Sequence, residues 1–131
     1  MKKWMQLPLA AMVGSLASAA VAGDFDGSKA LICAPVQAIV CHAGEACETG
    51  MPDEVGAPSF LRIDFAKKAI VGVKRITPIR TMEQDDKQIL LQGTELGVGW
   101  NLALDVADGK MVGTMSNRDG AFVLFGSCIP L

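Results

Sequence analysis

The sequence is short of the residue types that carry most enzyme chemistry. It contains a single histidine, His42, and no tyrosine in 131 residues. None of its serines has the Gly-x-Ser-x-Gly surroundings of an activated nucleophile. Asp85 and Asp86 are neighbouring carboxylates, but adjacent acids are more typical of a polar turn than of acid–base catalysis. We therefore expect a protein that is not an enzyme and that has no catalytic or cofactor-binding residues.

Basic residues and long apolar runs are also scarce. The first shortage disfavours a nucleic-acid partner, and the second disfavours a segment that spans a membrane. Of the 12 lysines and arginines, those at positions 2 and 3 lie in a predicted leader, which leaves 10 against 14 acidic residues. The resulting net charge of −4 disfavours nucleic acid, because binding to the phosphate backbone needs a basic face. The apolar run at residues 7–13 is too short to span a bilayer. We expect no nucleic-acid partner and no stable membrane span in the mature chain.

The first 22 residues have the three-part pattern of a secretory signal peptide. Lysines at positions 2 and 3 precede the apolar run, and small residues follow it, ending in Ala-Val-Ala at positions 20–22. The pattern predicts cleavage before Gly23 and a soluble periplasmic or secreted product, and a retained membrane anchor is the alternative interpretation. No cysteine follows the cleavage point, so lipid attachment there is excluded. Residues 23–131 have a usual size for one domain with one core.

The mature chain has the pattern of an all-β protein. The stretch VGWNLALDV alternates apolar residues with small or polar ones, and this period of two predicts a strand with Trp100, Leu102 and Leu104 on one face. Asp108-Gly109 then predicts a hairpin turn. Similar short segments give about eight strands, with no helical segment long enough for a crossover. We predict a small antiparallel meander that is closed into a barrel or sandwich.

Four cysteines in an exported chain predict two disulfides. If residues 33–41 are extended, the α-carbons of Cys33 and Cys41 lie about 26 Å apart, which is too far for a disulfide. The spacing of Cys41 and Cys47 is symmetric about Gly44, which lets the chain fold back and join them, and this leaves Cys33 to pair with Cys128. Motifs for haem attachment and for a redox pair are missing. A zinc site of the Cys3His type is an alternative that the same distance disfavours.

Three stretches, FLRIDFAKKAIVG, GWNLALDVADGKM and AFVLFGSCIP, are similar to those of a group of small exported bacterial proteins. The similarity covers nearly the whole mature chain; it implies a periplasmic protein and gives no activity. The layout also resembles the membrane-bound inhibitors of C-type lysozyme, which are exported antiparallel barrels with a disulfide near their ends. Those inhibitors act through two tyrosine-containing motifs, so the absence of tyrosine leaves only the architecture in common.

With catalysis disfavoured, we expect a binding or inhibitor module for an envelope protein or a small apolar ligand. We favour a packed interior, which would place recognition on loops of the barrel. The candidate loop residues are Asp85, Asp86, Gly97–Gly99, Asn117, Arg118 and Asp119. The alternative is a small-molecule carrier whose apolar interior opens beside Trp100, and an enzyme with an unrecognised site is a third interpretation. Met111 and Met115 are interpreted as packing or lining residues rather than as copper ligands, and no metal site is expected.

Overall fold

A computed structural model describes residues 23–131, and the predicted signal peptide lies outside the described residues. The described chain is almost entirely β-structure, which confirms the fold class predicted from the alternating pattern. Its strands are β1 (Leu31–Cys41), β2 (Glu48–Gly50), β3 (Leu61–Asp64), β4 (Ala69–Val71), β5 (Ile76–Pro78), β6 (Thr81–Gln84), β7 (Gln88–Glu95), β8 (Val98–Asp105), β9 (Lys110–Ser116) and β10 (Ala121–Pro130). A 3-10 helix at Pro52–Val55 is the only helical element in this part of the chain. Between residues 23 and 131 there is no helix with the length and apolarity needed to cross a membrane.

The ten strands form one antiparallel sheet in the order β5-β4-β3-β1-β10-β9-β8-β7-β6. β2 pairs with the second half of β1, on the edge whose first half pairs with β3. The predicted pairing of sequence neighbours holds for β3 to β5 and for β6 to β10. The two series meet where β1 pairs with β10 along its whole length, from Leu31 opposite Pro130 to Cys41 opposite Ala121.

The count of ten strands corrects the predicted eight at two places. β2 was not expected, and the segment predicted as one strand over residues 76–82 is divided between β5 and β6. The division occurs because the backbone N–H groups of two successive residues donate to carbonyl groups near opposite ends of the strand order. The Ile79 N–H donates to the Lys68 carbonyl at 2.8 Å, and the Arg80 N–H donates to the Gln92 carbonyl at 2.9 Å. The chain therefore passes from one end of the strand order to the other at these two residues.

The sheet is strongly curled, but the predicted closed barrel is not confirmed. Within residues 23–131 the strand order ends at β5 and β6, which no ladder joins to each other. The gap is bridged by a side chain instead, because the Thr77 hydroxyl donates to Glu95 Oε2 at 2.7 Å. The architecture is therefore a curled half-barrel with a narrow seam between β5 and the end of β7.

The concave face of the sheet carries the core. Alternate residues of the longer strands point inward, and the buried cluster contains Leu31, Cys33, Ile63, Ile79, Ile89, Leu91, Leu102, Leu104, Met111 and Cys128. In β10 the alternation places Leu124 inside, whereas Phe125 is on the outer face. Both predicted disulfide pairings are present: Cys33–Cys128 joins β1 to β10 within the core, and Cys41–Cys47 closes a loop after β1.

The two ends of the half-barrel differ. At one end, which we call the closed end, the N-terminal segment lies across the core: Phe25 packs against Gly109, and Gln84 Nε2 donates to the Asp26 carbonyl at 2.8 Å. The strand registers place the turns at residues 96–97 and 117–120 together at the opposite end, which we call the mouth end. The β4–β5 turn at residues 72–75 also lies there, because Thr77 reaches the end of β7. The fold is thus a cup with one covered end.

Candidate ligand-binding cavity

A cavity of about 220 Å³ lies inside the cup and reaches the mouth end. One wall consists of apolar side chains from β3 and β4, including Leu61 and Ile70. The facing wall is supplied by β8, β9 and β10 and includes Trp100, Leu102 and Leu124. Except at its mouth, the cavity offers a ligand almost no polar group.

The cavity exists because a glycine replaces a side chain in the middle of the apolar wall. Gly113 lies directly between Leu102 of β8 and Leu124 of β10 in the cross-strand register. A Cβ atom at this glycine would make only ordinary contacts, 3.6 Å from Leu124 Cβ and 4.0 Å from Met111 Cε. A Cβ atom therefore fits at position 113 without displacing a neighbour, and Gly113 itself lines the cavity. The neighbouring inward residues of β9, Met111 and Met115, line the cavity on either side of the glycine.

A second glycine positions the tryptophan. Gly93 of β7 is the register partner of Trp100, and a Cβ atom there would lie 2.7 Å from Trp100 Cε2 and 2.8 Å from the Pro78 carbonyl oxygen. A glycine within a strand often marks such a close approach. The indole thus packs on the backbone of β7 and forms part of the cavity wall. Its Nε1–H is buried and has no hydrogen-bond partner within residues 23–131.

The polar residues of the cavity lie at its mouth. Thr77 and Glu95 are joined across the seam by the hydrogen bond described above. Arg75 lies in the β4–β5 turn and lines the cavity; it is exposed and forms no ion pair with any residue from 23 to 131. The mouth therefore presents one engaged carboxylate and one guanidinium beside an apolar interior.

The packed interior favoured from the sequence is wrong at this end of the cup. An alternating pattern shows that Trp100 points inward, but it does not show which residue lies opposite. The open space beside Gly113 depends on the register of three strands, and the narrow space beside Gly93 depends on a fourth. Leu61 and Ile70 were not singled out from the sequence as site residues either. The available signal was the presence of Gly93 and Gly113 inside strands that otherwise alternate.

The predicted recognition loops do not form one surface. Gly97–Gly99 and the turn at residues 117–119 lie at the mouth end, whereas Asp85 and Asp86 lie in the β6–β7 turn near the closed end. Asp85 Oδ1 accepts the N–H groups of Lys87 and Gln88, both at 2.8 Å. These two bonds stabilise the carboxylate and lower the pKa of Asp85 below its usual value. This carboxylate is thereby engaged within its own turn.

The turn at residues 117–120 is similarly self-contained. Asn117 Oδ1 accepts the N–H groups of Asp119 at 2.8 Å and Gly120 at 3.2 Å. Arg118 and Asp119 are exposed and form a loose pair, with 3.6 Å between Nε and Oδ1. His42, in the small disulfide loop, has its Nδ1 2.9 Å from the Asp119 carbonyl oxygen, so the two loops support each other at the mouth end.

Comparison of the chain with family models, with curated proteins and with solved structures found no match. Among residues 23–131 there is also no group of three or more histidine, cysteine or acidic side chains placed to hold a metal ion. The cavity beside Trp100 is the most developed binding feature of residues 23–131.

Proposed function

We propose that this protein is an exported binding protein for a small, largely apolar molecule, which it holds in the cavity beside Trp100 without transforming it. The observation that carries the proposal is an apolar cavity open at the mouth end of a cup whose other end is covered by Phe25. Two disulfides in a chain of this size favour an oxidising compartment, and with the leader-like first 22 residues they support the periplasm or the exterior.

The size of the cavity limits the ligand. An enclosed apolar space of roughly 150 Å³ can stay dry and take up a benzene molecule. A volume of about 220 Å³ therefore suits a single ring with substituents or a short branched chain, rather than a large cofactor. The lining exposes almost no polar atom to this space, which favours a ligand without strongly polar groups.

Binding of a small ligand in the cavity is better supported than inhibition of another protein through the loops. Asp85 and Asn117 use their side-chain oxygens to hold their own turns. The loops also lie at opposite ends of the cup, so a single partner would have difficulty contacting both. The cavity, in contrast, has apolar walls that no side chain from residues 23–131 covers.

The test follows the indole N–H resonance of Trp100 by NMR during titration with cyclohexanone, which has an acceptor, and with toluene, which has none. We expect both probes to move the resonance, because either one would pack against the indole ring that forms part of the cavity wall. Gly113→Val places a branched side chain in the open space and should weaken binding about tenfold or more, because the probe loses its buried apolar contacts.

The matched control is Gly99→Val on the outer face of β8. A Cβ atom at Gly99 would have no neighbour closer than the Ser116 carbonyl oxygen at 3.9 Å, so this variant receives the same new side chain away from the cavity. It should bind both probes like the wild type. An unmoved Trp100 resonance with both probes, or equal affinity in the wild type and Gly113→Val, would overturn the proposal.

A further inference from the structure

The mouth of the cavity is surrounded by exposed apolar side chains. Phe60, Val73, Ile76 and Leu96 are 56%, 82%, 69% and 74% exposed, and we call these four residues the mouth rim. Each is next in sequence to a residue that lines the cavity: Leu61, Gly72, Thr77 and Glu95, respectively. The rim thus continues the apolar interior outward onto three segments: the loop before β3, the β4–β5 hairpin and the β7–β8 turn.

Leu96 is held on the rim in an unfavourable backbone conformation. It forms a two-residue hairpin turn with Gly97, and both residues have positive φ, 46° for Leu96 and 80° for Gly97. Such turns favour Asn-Gly or Gly-Gly, because a bulky side chain is strained in the left-handed region. Strained positions of this kind tend to occur at functional sites. Here the strained residue displays a large apolar side chain to solvent beside the cavity.

The rim also carries positive charge. Val73 is followed directly by Lys74 and Arg75, and all three are exposed in the β4–β5 turn. Neither basic residue forms an ion pair within residues 23–131, although the protein as a whole is acidic. Glu95, the acid that lines the cavity, accepts a hydrogen bond from the Thr77 hydroxyl. An apolar tip beside two free cations is a combination suited to the interface of an anionic bilayer.

We infer that the mouth rim docks on the surface of a lipid bilayer that contains anionic phospholipid, so that the apolar ligand passes between the membrane and the cavity. This inference rests on the proposed function. The anchors project from three connecting segments around the opening, so they can enter the interface without any change in the strands. Docking in this orientation covers the mouth and spares the ligand a passage through water.

The experiment uses protein purified as it accumulates after expression of the full sequence, with its N-terminus determined by mass spectrometry. Co-flotation is measured with vesicles of phosphatidylcholine alone and of phosphatidylcholine mixed with phosphatidylglycerol. We expect binding to the mixed vesicles that weakens with added salt, and much weaker binding to phosphatidylcholine alone.

Leu96→Asn is the decisive variant, because it should change binding and stability in opposite directions. The vesicle affinity should fall about tenfold with the loss of the apolar anchor, whereas the urea midpoint of unfolding should rise because asparagine tolerates the turn. Val36→Ser is the control: Val36 is 62% exposed but lies in the middle of β1, and this variant should float like the wild type. All variants share one N-terminus, so their differences report the rim.

Several results would overturn the inference. The first is that the protein does not float with either kind of vesicle. The second is that Leu96→Asn floats as well as the wild type. The third is that the protein self-associates in solution and Leu96→Asn abolishes this, since a second copy of the chain would then be what covers the rim. Failure of the ligand proposal is detected separately, because the cyclohexanone titration is made without vesicles. Rim variants should retain the Trp100 response.

Discussion

The two disulfides should contribute very unequally to stability, and their positions allow the difference to be calculated. Cys33–Cys128 closes a loop with a sequence separation of 95, whereas Cys41–Cys47 closes one of 6. On the chain-entropy description, the first lowers the entropy of the unfolded chain by an amount equivalent to about 4.7 kcal/mol and the second by about 2.2 kcal/mol. The expected difference is therefore about 2.5 kcal/mol before packing is considered.

Packing increases this difference. Cys33 and Cys128 are 0% and 2% exposed in the core, while Cys47 is exposed. Replacement of each buried sulfur by a hydrogen removes contacts worth roughly 1 kcal/mol. The pair of substitutions Cys33→Ala and Cys128→Ala should thus destabilise the fold by about 6–7 kcal/mol. Since a small domain has roughly 5–15 kcal/mol of stability in total, this variant should be close to unfolding.

The assay is urea unfolding followed by circular dichroism without reductant, with Cys41→Ala and Cys47→Ala as the matched pair, which should lose about 2 kcal/mol. Reduction of the remaining bond in that second variant removes the long cross-link at constant side-chain volume. It therefore separates the entropic contribution from packing. Equal losses for the two pairs, or a larger loss for the Cys41–Cys47 pair, would refute the reasoning.

Three further predictions concern single residues. Gly93→Ala should destabilise the fold by about 1–3 kcal/mol and red-shift the emission of Trp100, because the new methyl group displaces the indole, whereas Gly113→Ala should be neutral or stabilising; equal urea midpoints would contradict this. Leu96→Asn should stabilise the fold by roughly 0.5–1 kcal/mol in the same assay, and a loss of stability would show that its turn is not strained. The pKa of Asp85 is lower in the folded state than in the unfolded chain. The ionised carboxylate therefore adds its full contribution to the free energy of unfolding above the unfolded-state pKa, and this contribution is lost as the pH falls through the folded-state pKa. Asp85→Ala should accordingly flatten the decline of stability below about pH 4, and an unchanged pH profile would argue against the two turn bonds.

The sequence was sufficient for what depends on one strand at a time. Strict alternation in residues 98–106 indicated the inward direction of Trp100 and Leu102, and Asp108-Gly109 indicated the turn after β8. The disulfide pairing also followed, because the extended β1 keeps Cys33 and Cys41 apart and the turn at Gly44 brings Cys47 back to Cys41, which leaves Cys33 to Cys128. The strand faces, the turn and the small disulfide loop are local features, so the pattern contains the information that they need.

What depends on several strands together could not be predicted in this way. The cavity requires Gly113 to stand level with Leu102 and Leu124, and that register is a property of three strands. The division between β5 and β6 arises from hydrogen bonds to Lys68 and Gln92, which are distant in sequence. The positions of the loops at the mouth or the closed end are likewise set by topology, which explains why Asp85 and Asn117 were grouped although the fold separates them.

The central ladder of the sheet also determines when folding can finish. β1 is the first strand of the described chain and β10 is the last, and the disulfide between them spans 95 residues of sequence. Contacts of such long range are slow to form because the intervening chain must be ordered first. β1 therefore lacks its principal partner until residues 121–130 are in place, and the edge of β1 that pairs with β10 stays unpaired during that interval. Oxidation of Cys33 with Cys128 is consequently a late event, and its time course would report completion of the native topology, whereas oxidation of Cys41 with Cys47 would report only a local turn.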